Sequence, residues 1–181
     1  MRIIAGRHRS RTLKMVPSND TRETSDKVRG AIFNSLSTSV VNANVLDLFA
    51  GSGAYGLESI SRGASHVWFN DVKPKAIETI IENIKLLNEH THATVWKYDY
   101  KEAINRIKLN ELKLDLVFLD PPYEMNIYAE ILDSIYENLN DDCLCILEMH
   151  KENSVNLNLE KYEITREKLY GIKKIIMLRK L

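Results

Sequence analysis

Two short stretches hold residue types that could do chemistry together. Gly51-Ser-Gly53-Ala-Tyr-Gly56 is a full G-x-G-x-x-G, and Asp71 stands twenty residues beyond Gly51. Glycines at that spacing permit a tight turn and a close backbone approach to a ligand, and a carboxylate at that distance can accept both ribose hydroxyls of a nucleoside. The pattern points to a cofactor that contains adenosine. The second stretch is Asp120-Pro121-Pro122-Tyr123. Two prolines fix φ and lack N–H donors, so the segment presents carbonyl oxygens in a stiff geometry, to which Asp120 adds an acceptor and Tyr123 a flat face. A rigid pair of acceptors beside an aromatic suits a planar base bearing an exocyclic –NH₂ group.

Both stretches need strand ends to hold them, and the hydropathy pattern supplies the strands. Asp26 to Ser37 has helical spacing with Thr24 or Ser25 as its cap, Val45 to Phe49 reads as a buried strand, and Tyr55 to Arg62 as a helix stopped by Gly63. His66 to Phe69 is a second strand. Pro74 to Asn88 is a helix with Ile77, Ile80, Ile81, Ile84 and Leu87 in one stripe. Then come a strand at Thr94 to Trp96, a helix at Glu102 to Leu109, a strand at Leu114 to Leu119, a helix at Tyr128 to Leu139 and a strand at Leu144 to Leu147. Tyr162 to Leu169 and Lys173 to Leu178, joined across Gly171, read as a closing hairpin. This alternation predicts an α/β fold with a doubly wound, mostly parallel sheet and a carboxyl-terminal antiparallel hairpin. Ligands of such sheets lie beyond the carboxyl ends of the strands. Residues 1–25 read as a basic amino-terminal appendage and 26–181 as the domain.

At 181 residues the chain has the size of one domain. With 44% hydrophobic and 28% charged residues it is neither disordered nor fibrous. No apolar run approaches the roughly 18–20 residues a bilayer needs, and the opening residues are too soon interrupted by arginines for a signal peptide, so a soluble, cytoplasmic protein without a membrane partner is expected. Cys143 and Cys145 alternate within an apolar run and are expected as buried thiols. His8, His66, His90, His92 and His150 have no ligand spacing, and no metal is expected.

Net charge is zero, but both ends are basic. Residues 1–14 hold Arg2, Arg7, Arg9, Arg11 and Lys14, and residues 168–181 hold Lys168, Lys173, Lys174, Arg179 and Lys180, with no acid in either run. Setting these ten aside leaves 15 bases against all 25 acids between them. Such asymmetry fits an acidic partner such as a nucleic acid, and it equally fits short solvated termini.

Asp47-Leu-Phe-Ala-Gly-Ser-Gly53 resembles the cofactor loop of class I S-adenosylmethionine-dependent methyltransferases, and Asp120-Pro-Pro-Tyr123 resembles their (Asp/Asn)-Pro-Pro-(Tyr/Phe) motif for methylating amino nitrogens. Arg2-Ile-Ile-Ala-Gly6, Arg22-Glu-Thr-Ser-Asp-Lys-Val-Arg29 and Ile32-Phe-Asn-Ser-Leu36 resemble the RsmD-like family, which methylates guanine N2 in small-subunit (16S) ribosomal RNA. The family usually reads Arg-Pro-Thr where this chain has Arg22-Glu23-Thr24. The resemblance implies a Rossmann-like seven-stranded sheet, S-adenosylmethionine as cofactor, and small-subunit ribosomal RNA, free or in an assembled subunit, as partner. It implies that Phe49, Gly51 and Gly53, with Asp47 and Ser52 in the same loop, line the methionine and ribose. Asp71, with Val72 beside it, would take the ribose hydroxyls, and Asp99, next to Tyr100, would reach the adenine amino group. Asp120, Pro121, Pro122 and Tyr123 would hold the target base, and Arg2, Arg7, Arg9, Arg11 and Arg22 the RNA. With an ordinary pKa of about 3.9, Asp120 would be a poor base for a neutral amine and so an orienting acceptor first.

Three other readings share parts of the pattern. A nicotinamide-linked oxidoreductase shares the glycine loop, but needs a substrate domain for which this chain is too short. A methyltransferase for DNA adenine or a protein glutamine amide shares the Asp-Pro-Pro-Tyr logic and lacks the amino-terminal pattern. A non-catalytic RNA-binding assembly factor is the third, and cofactor binding separates it from an enzyme.

Overall fold

The computed structural model describes residues 1–17 and 24–181. Arg22 and Glu23, singled out above, lie outside them. Seven strands form one sheet in the order β3-β2-β1-β4-β5-β7-β6. They are β1 (Asn44–Asp47), β2 (His66–Asn70), β3 (Ala93–Trp96), β4 (Leu114–Leu119), β5 (Leu139–His150), β6 (Tyr162–Tyr170) and β7 (Lys173–Lys180). The first five run parallel, and β7 pairs antiparallel with both β5 and β6. This is the doubly wound Rossmann-like sheet the alternation predicts. Strand order reverses between β1 and β4, the point at which sheets of this kind bind their ligands.

Helices cover both faces because the buried strands are apolar on both sides. On one face α1 (Asp26–Leu36), α2 (Ala54–Ser61) and α3 (Pro74–Leu87) pack over Val45, Val67, Phe69, Leu116, Phe118 and Ile146. On the other α4 (Tyr100–Leu109) and α5 (Tyr128–Ile135) pack over Leu46, Val117, Leu119 and Leu147. Ser25, of the two candidates, caps α1, accepting from the Val28 N–H.

The boundaries depart from the hydropathy reading where polar side chains take structural roles. Glu102 is not the start of α4: Asp99 caps that helix, and Tyr100 is its first residue. The buried face of α3 runs through Ala76, Ile80, Asn83, Ile84 and Leu87, so Ile81 turns outward and is 49% exposed. The helix after Tyr128 ends at Ile135 rather than Leu139, because Leu139 already begins β5. The strand expected over Leu144 to Leu147 is longer at both ends, and Asn140-Asp-Asp142 is an irregularity within it, with Asp142 at φ +61° and the pairing to β4 shifted there. Cys143 and Cys145 are both buried as free thiols.

Residues 1–17 fold back onto α2 and α3. Ile3 and Leu13 join the core, and Arg2 and Thr12 form an antiparallel bridge. Glu58 of α2, fully buried, accepts from the backbone N–H groups of Ile4 (2.8 Å) and Ala5 (3.1 Å). Gly6, at φ +83°, lies so close to α2 that a Cβ there would stand 1.9 Å from the Ser61 carbonyl oxygen. Among the described residues no helix is long and apolar enough to cross a membrane.

Candidate active site

The glycine loop leaves β1 and enters α2. Gly53 takes φ +81° at the helix N-cap and closes a turn onto the Ala50 carbonyl (2.7 Å). A side chain at Gly53 would press on Ile80, Phe69 and Leu57, whereas one at Gly51, φ +55°, would meet nothing within 4 Å. Gly51 thus faces open space, a cradle that its missing side chain leaves for a ligand. Ser52 is buried, and its carbonyl accepts from Asn83 of α3 (3.0 Å).

Asp71 follows β2 and grips the loop. Its Oδ2 accepts from the Gly51 N–H and its Oδ1 from the Lys73 N–H, both at 2.9 Å. Each oxygen keeps a further lone pair for a hydroxyl. Val72 beside it is 59% exposed. Asp47 is buried beneath the loop and accepts from the Gly56 N–H at 3.0 Å. Burial pushes its pKa up to about 7; the Gly56 N–H pulls down, and the Asp71 charge pushes up. Phe49 packs against Tyr100 with ring centroids 6.3 Å apart. Asp99 is exposed, and its Oδ1 is engaged as a cap by the Lys101 and Glu102 N–H groups.

Asp120 sits one residue beyond β4, next to the loop, since Asp47 on β1 pairs with Phe118 on β4. It is partly buried, and burial raises its proton affinity well above that of an ordinary aspartate; Glu148 pushes the same way, Lys173 opposes, and Asp47 adds to the rise. The ordinary pKa expected of Asp120 from sequence is therefore corrected: the fold makes it a stronger base. Pro121 is buried and Pro122 exposed, with the Pro122 carbonyl accepting from Met125 N–H (2.9 Å). The Tyr123 ring lies 5.7 Å from that of His150, and Asn153 donates to the Tyr123 carbonyl at 2.8 Å. The segment thus follows β4, the neighbour of the strand from which the glycine loop departs.

The amino-terminal arginines do not form one group. Arg2 is exposed and pairs with Asp26 at 3.4 Å, and with Arg9 and Lys27 it lines an open cleft of about 530 Å³. Arg7 instead makes two bonds to the buried Glu89, at 2.7 and 2.8 Å, and His8 bonds the same carboxylate. Arg11 donates to the Leu86 carbonyl at 3.1 Å. Arg7 and Arg11 thus fasten the amino-terminal segment to the end of α3 and the turn that follows, while Arg2 and Arg9 face the cleft.

Three positioning residues carry no motif. Asn70 ends β2, donates to the Leu48 and Tyr98 carbonyls (3.2 and 3.1 Å) and accepts from the Tyr98 N–H (3.2 Å), tying three strand ends together. Asn83 bonds Ser52 of the loop and both backbone groups of Lys14, linking loop and amino-terminal segment. Glu148 is buried beside Asp120. A polar side chain interrupting the apolar face of a helix or strand was the available signal for each.

Comparison with known proteins identifies the family and the fold. The family model described as Conserved hypothetical protein 95 matches residues 1–179. YlbH of Bacillus subtilis is 35% identical, the match covering 99% of each chain. Ribosomal RNA small subunit methyltransferase D of Escherichia coli is 31% identical over 94% of this chain and 85% of its own. The solved structure of yhhF from Escherichia coli superposes with a TM-score of 0.86 at 29% identity, covering 99% of this chain and 97% of that one. The chain belongs to the family described as Conserved hypothetical protein 95, the RsmD-like family that its motifs resemble.

Proposed function

We propose that the protein methylates the exocyclic N2 of a guanine in small-subunit ribosomal RNA, with S-adenosylmethionine as donor. One observation carries the reading: the Asp120-Pro-Pro-Tyr123 acceptors and the glycine loop meet at the ends of neighbouring strands β4 and β1, in a chain 31% identical to an rRNA methyltransferase. The residues present fit the cofactor. Gly51 leaves a cradle, Asp71 has acceptor capacity for ribose hydroxyls, and Phe49 and Tyr100 offer flat faces. When bound, S-adenosylmethionine supplies a methyl group on a sulfonium, whose C–S electron pair stays with sulfur as the methyl leaves.

The remaining work falls to the chain. The guanine N2 lone pair is delocalised into its ring, so the amine is a weak nucleophile. Asp120 and the Pro121 carbonyl accept its two N–H bonds, favour a pyramidal nitrogen and stabilise the positive charge that develops as the N–C bond forms. By fixing the direction in which the amine approaches, these two acceptors would recover several kcal/mol of barrier. Methylated N2 then gives up one proton, for which the raised basicity of Asp120 makes it the near acceptor before solvent. Tyr123 stacks on a base turned out of its helix or loop, worth roughly 1–3 kcal/mol. Arg2 and Arg9, across the cleft they share with Lys27, contact RNA phosphates. On this reading the protein works in the cytoplasm on ribosomal RNA, free or assembled.

The test is methyl transfer onto small ribosomal subunits and onto naked RNA from a strain lacking the protein, followed by mapping of the product. N2-methylguanosine at one site supports the reading; methylation only of DNA or protein, or none, overturns it.

A further inference from the structure

Glu148 and Lys173 form a charge pair that the motifs do not account for. Leu119 on β4 pairs with Leu147 on β5, so the next residues, Asp120 and Glu148, are neighbours across parallel strands, on the same face as Phe118 and Ile146. Glu148 is 1% exposed. Across the sheet it pairs with Ile175 of β7, and Lys173, two residues along, shares that face and forms an ion pair with Glu148 Oε1. The other oxygen of Glu148 accepts from the Tyr55 hydroxyl at 2.7 Å and the Thr24 hydroxyl at 2.6 Å. Lys173 also donates to Thr24 Oγ1 at 2.9 Å, and the Tyr128 hydroxyl holds the Glu148 backbone carbonyl at 2.7 Å. The Tyr55 ring stacks on Phe118, 4.6 Å away, two residues before Asp120. Both carboxylate oxygens of Glu148 are therefore committed, and the side chain cannot swing. Buried pairs of this kind are in general no more stabilising than apolar residues of the same volume.

We propose that Glu148 and Lys173 are positioning residues for the transfer step: held by Tyr55 and Thr24 on the strands beside β4, they set the charge that Asp120 carries when it accepts the amino group. The proposal rests on the methyltransferase reading above. Among the described residues, the titratable groups that act on Asp120 are Asp47 from β1, Tyr55 from α2, Tyr128 from α5, Glu148 from β5 and Lys173 from β7. Glu148 and Asp47 favour a protonated Asp120, and Lys173 favours the carboxylate. Removing one member of the pair must therefore move Asp120 in the direction opposite to removing the other, which loss of packing alone would not do.

The experiment is the pH profile of methyl transfer to RNA at saturating cofactor for wild type, Glu148→Gln, Lys173→Gln, Lys173→Arg and the Glu148→Gln/Lys173→Gln double variant. The acid limb should move to lower pH in Glu148→Gln and to higher pH in Lys173→Gln, each by about half a pH unit or more. It should stay in place in Lys173→Arg and lie between the single variants in the double. Limbs that move together, or not at all, overturn the proposal. The Asp120 carboxyl is also titrated directly by ¹³C NMR in wild type and Glu148→Gln, a readout that needs neither turnover nor a folded Lys173→Gln. A midpoint lowered in Glu148→Gln supports the role, and one unchanged or raised refutes it. Wild-type protein that transfers no methyl to RNA overturns the functional reading, and the NMR titration then tests the charge coupling separately.

Discussion

Replacing Asp47 by asparagine should change how stability depends on pH. The Asp47 carboxyl lies buried under the glycine loop, and its pKa is raised from 3.8 to about 7, chiefly by burial. Between those values the native protein holds a proton that the unfolded chain has released. The stability associated with this group is therefore complete below pH 3.8 and lost as pH rises through about 7. A gap of about three pKa units at ~1.4 kcal/mol each amounts to about 4 kcal/mol. Asparagine keeps an oxygen for the Gly56 N–H and has no proton to release, and whatever its amide costs to bury is the same at every pH. Urea unfolding of both proteins from about pH 4 to 8 measures the effect, because the other titrating groups are shared and cancel to first order in the difference. The stability of Asp47→Asn relative to wild type should climb by about 4 kcal/mol across that range. Two curves that run parallel would refute the buried, loop-bound placement of this carboxyl.

Two further perturbations address the amino-terminal segment. Glu58→Gln turns one carboxylate oxygen into a donor facing the Ile4 or Ala5 N–H, and removes a charge 3.9 Å from the buried Arg29 Nε. A loss of about 3–5 kcal/mol in urea unfolding, with faster amide exchange at Ile4 and Ala5, is expected; a loss below about 1 kcal/mol would show that the segment is held by other means. Arg2→Ala/Arg9→Ala should leave stability unchanged and reduce the salt slope of RNA binding by about 2, whereas Arg7→Ala, which strips a bidentate partner from Glu89, should cost roughly 1.5–3 kcal/mol of stability. An unchanged salt slope in the double variant would make the Arg2 and Arg9 cleft a solvated surface.

The order of elements was legible because the sheet is apolar and its helices amphipathic: each strand from Asn44 to Leu119 is a short run bounded by turn residues, and period alone separates it from its neighbours. The glycine loop and Asp120 were legible for a different reason, since backbone approach and stiff acceptors need particular residue types. What stayed hidden depends on contacts between distant residues. The partners of Glu58 and Asn83 appear only when residues 1–17 fold back over α2 and α3, more than fifty positions away. Arg7 reads as one more arm cation, yet the buried Glu89 claims it. Glu148 sits in an apolar run whose register against β4 no local pattern gives, and the basicity of Asp120 follows from that register.

Asp120 must meet the amino group while the cofactor rests on the glycine loop, and every catalytic role assigned above depends on that meeting. Its most direct measurement is Asp120→Ala, assayed in parallel for S-adenosylmethionine affinity by calorimetry and for single-turnover methyl transfer to RNA. Affinity should match wild type while transfer falls by on the order of 10²–10³. Undiminished transfer by that variant would contradict the role of Asp120 and, with it, the proposed mechanism.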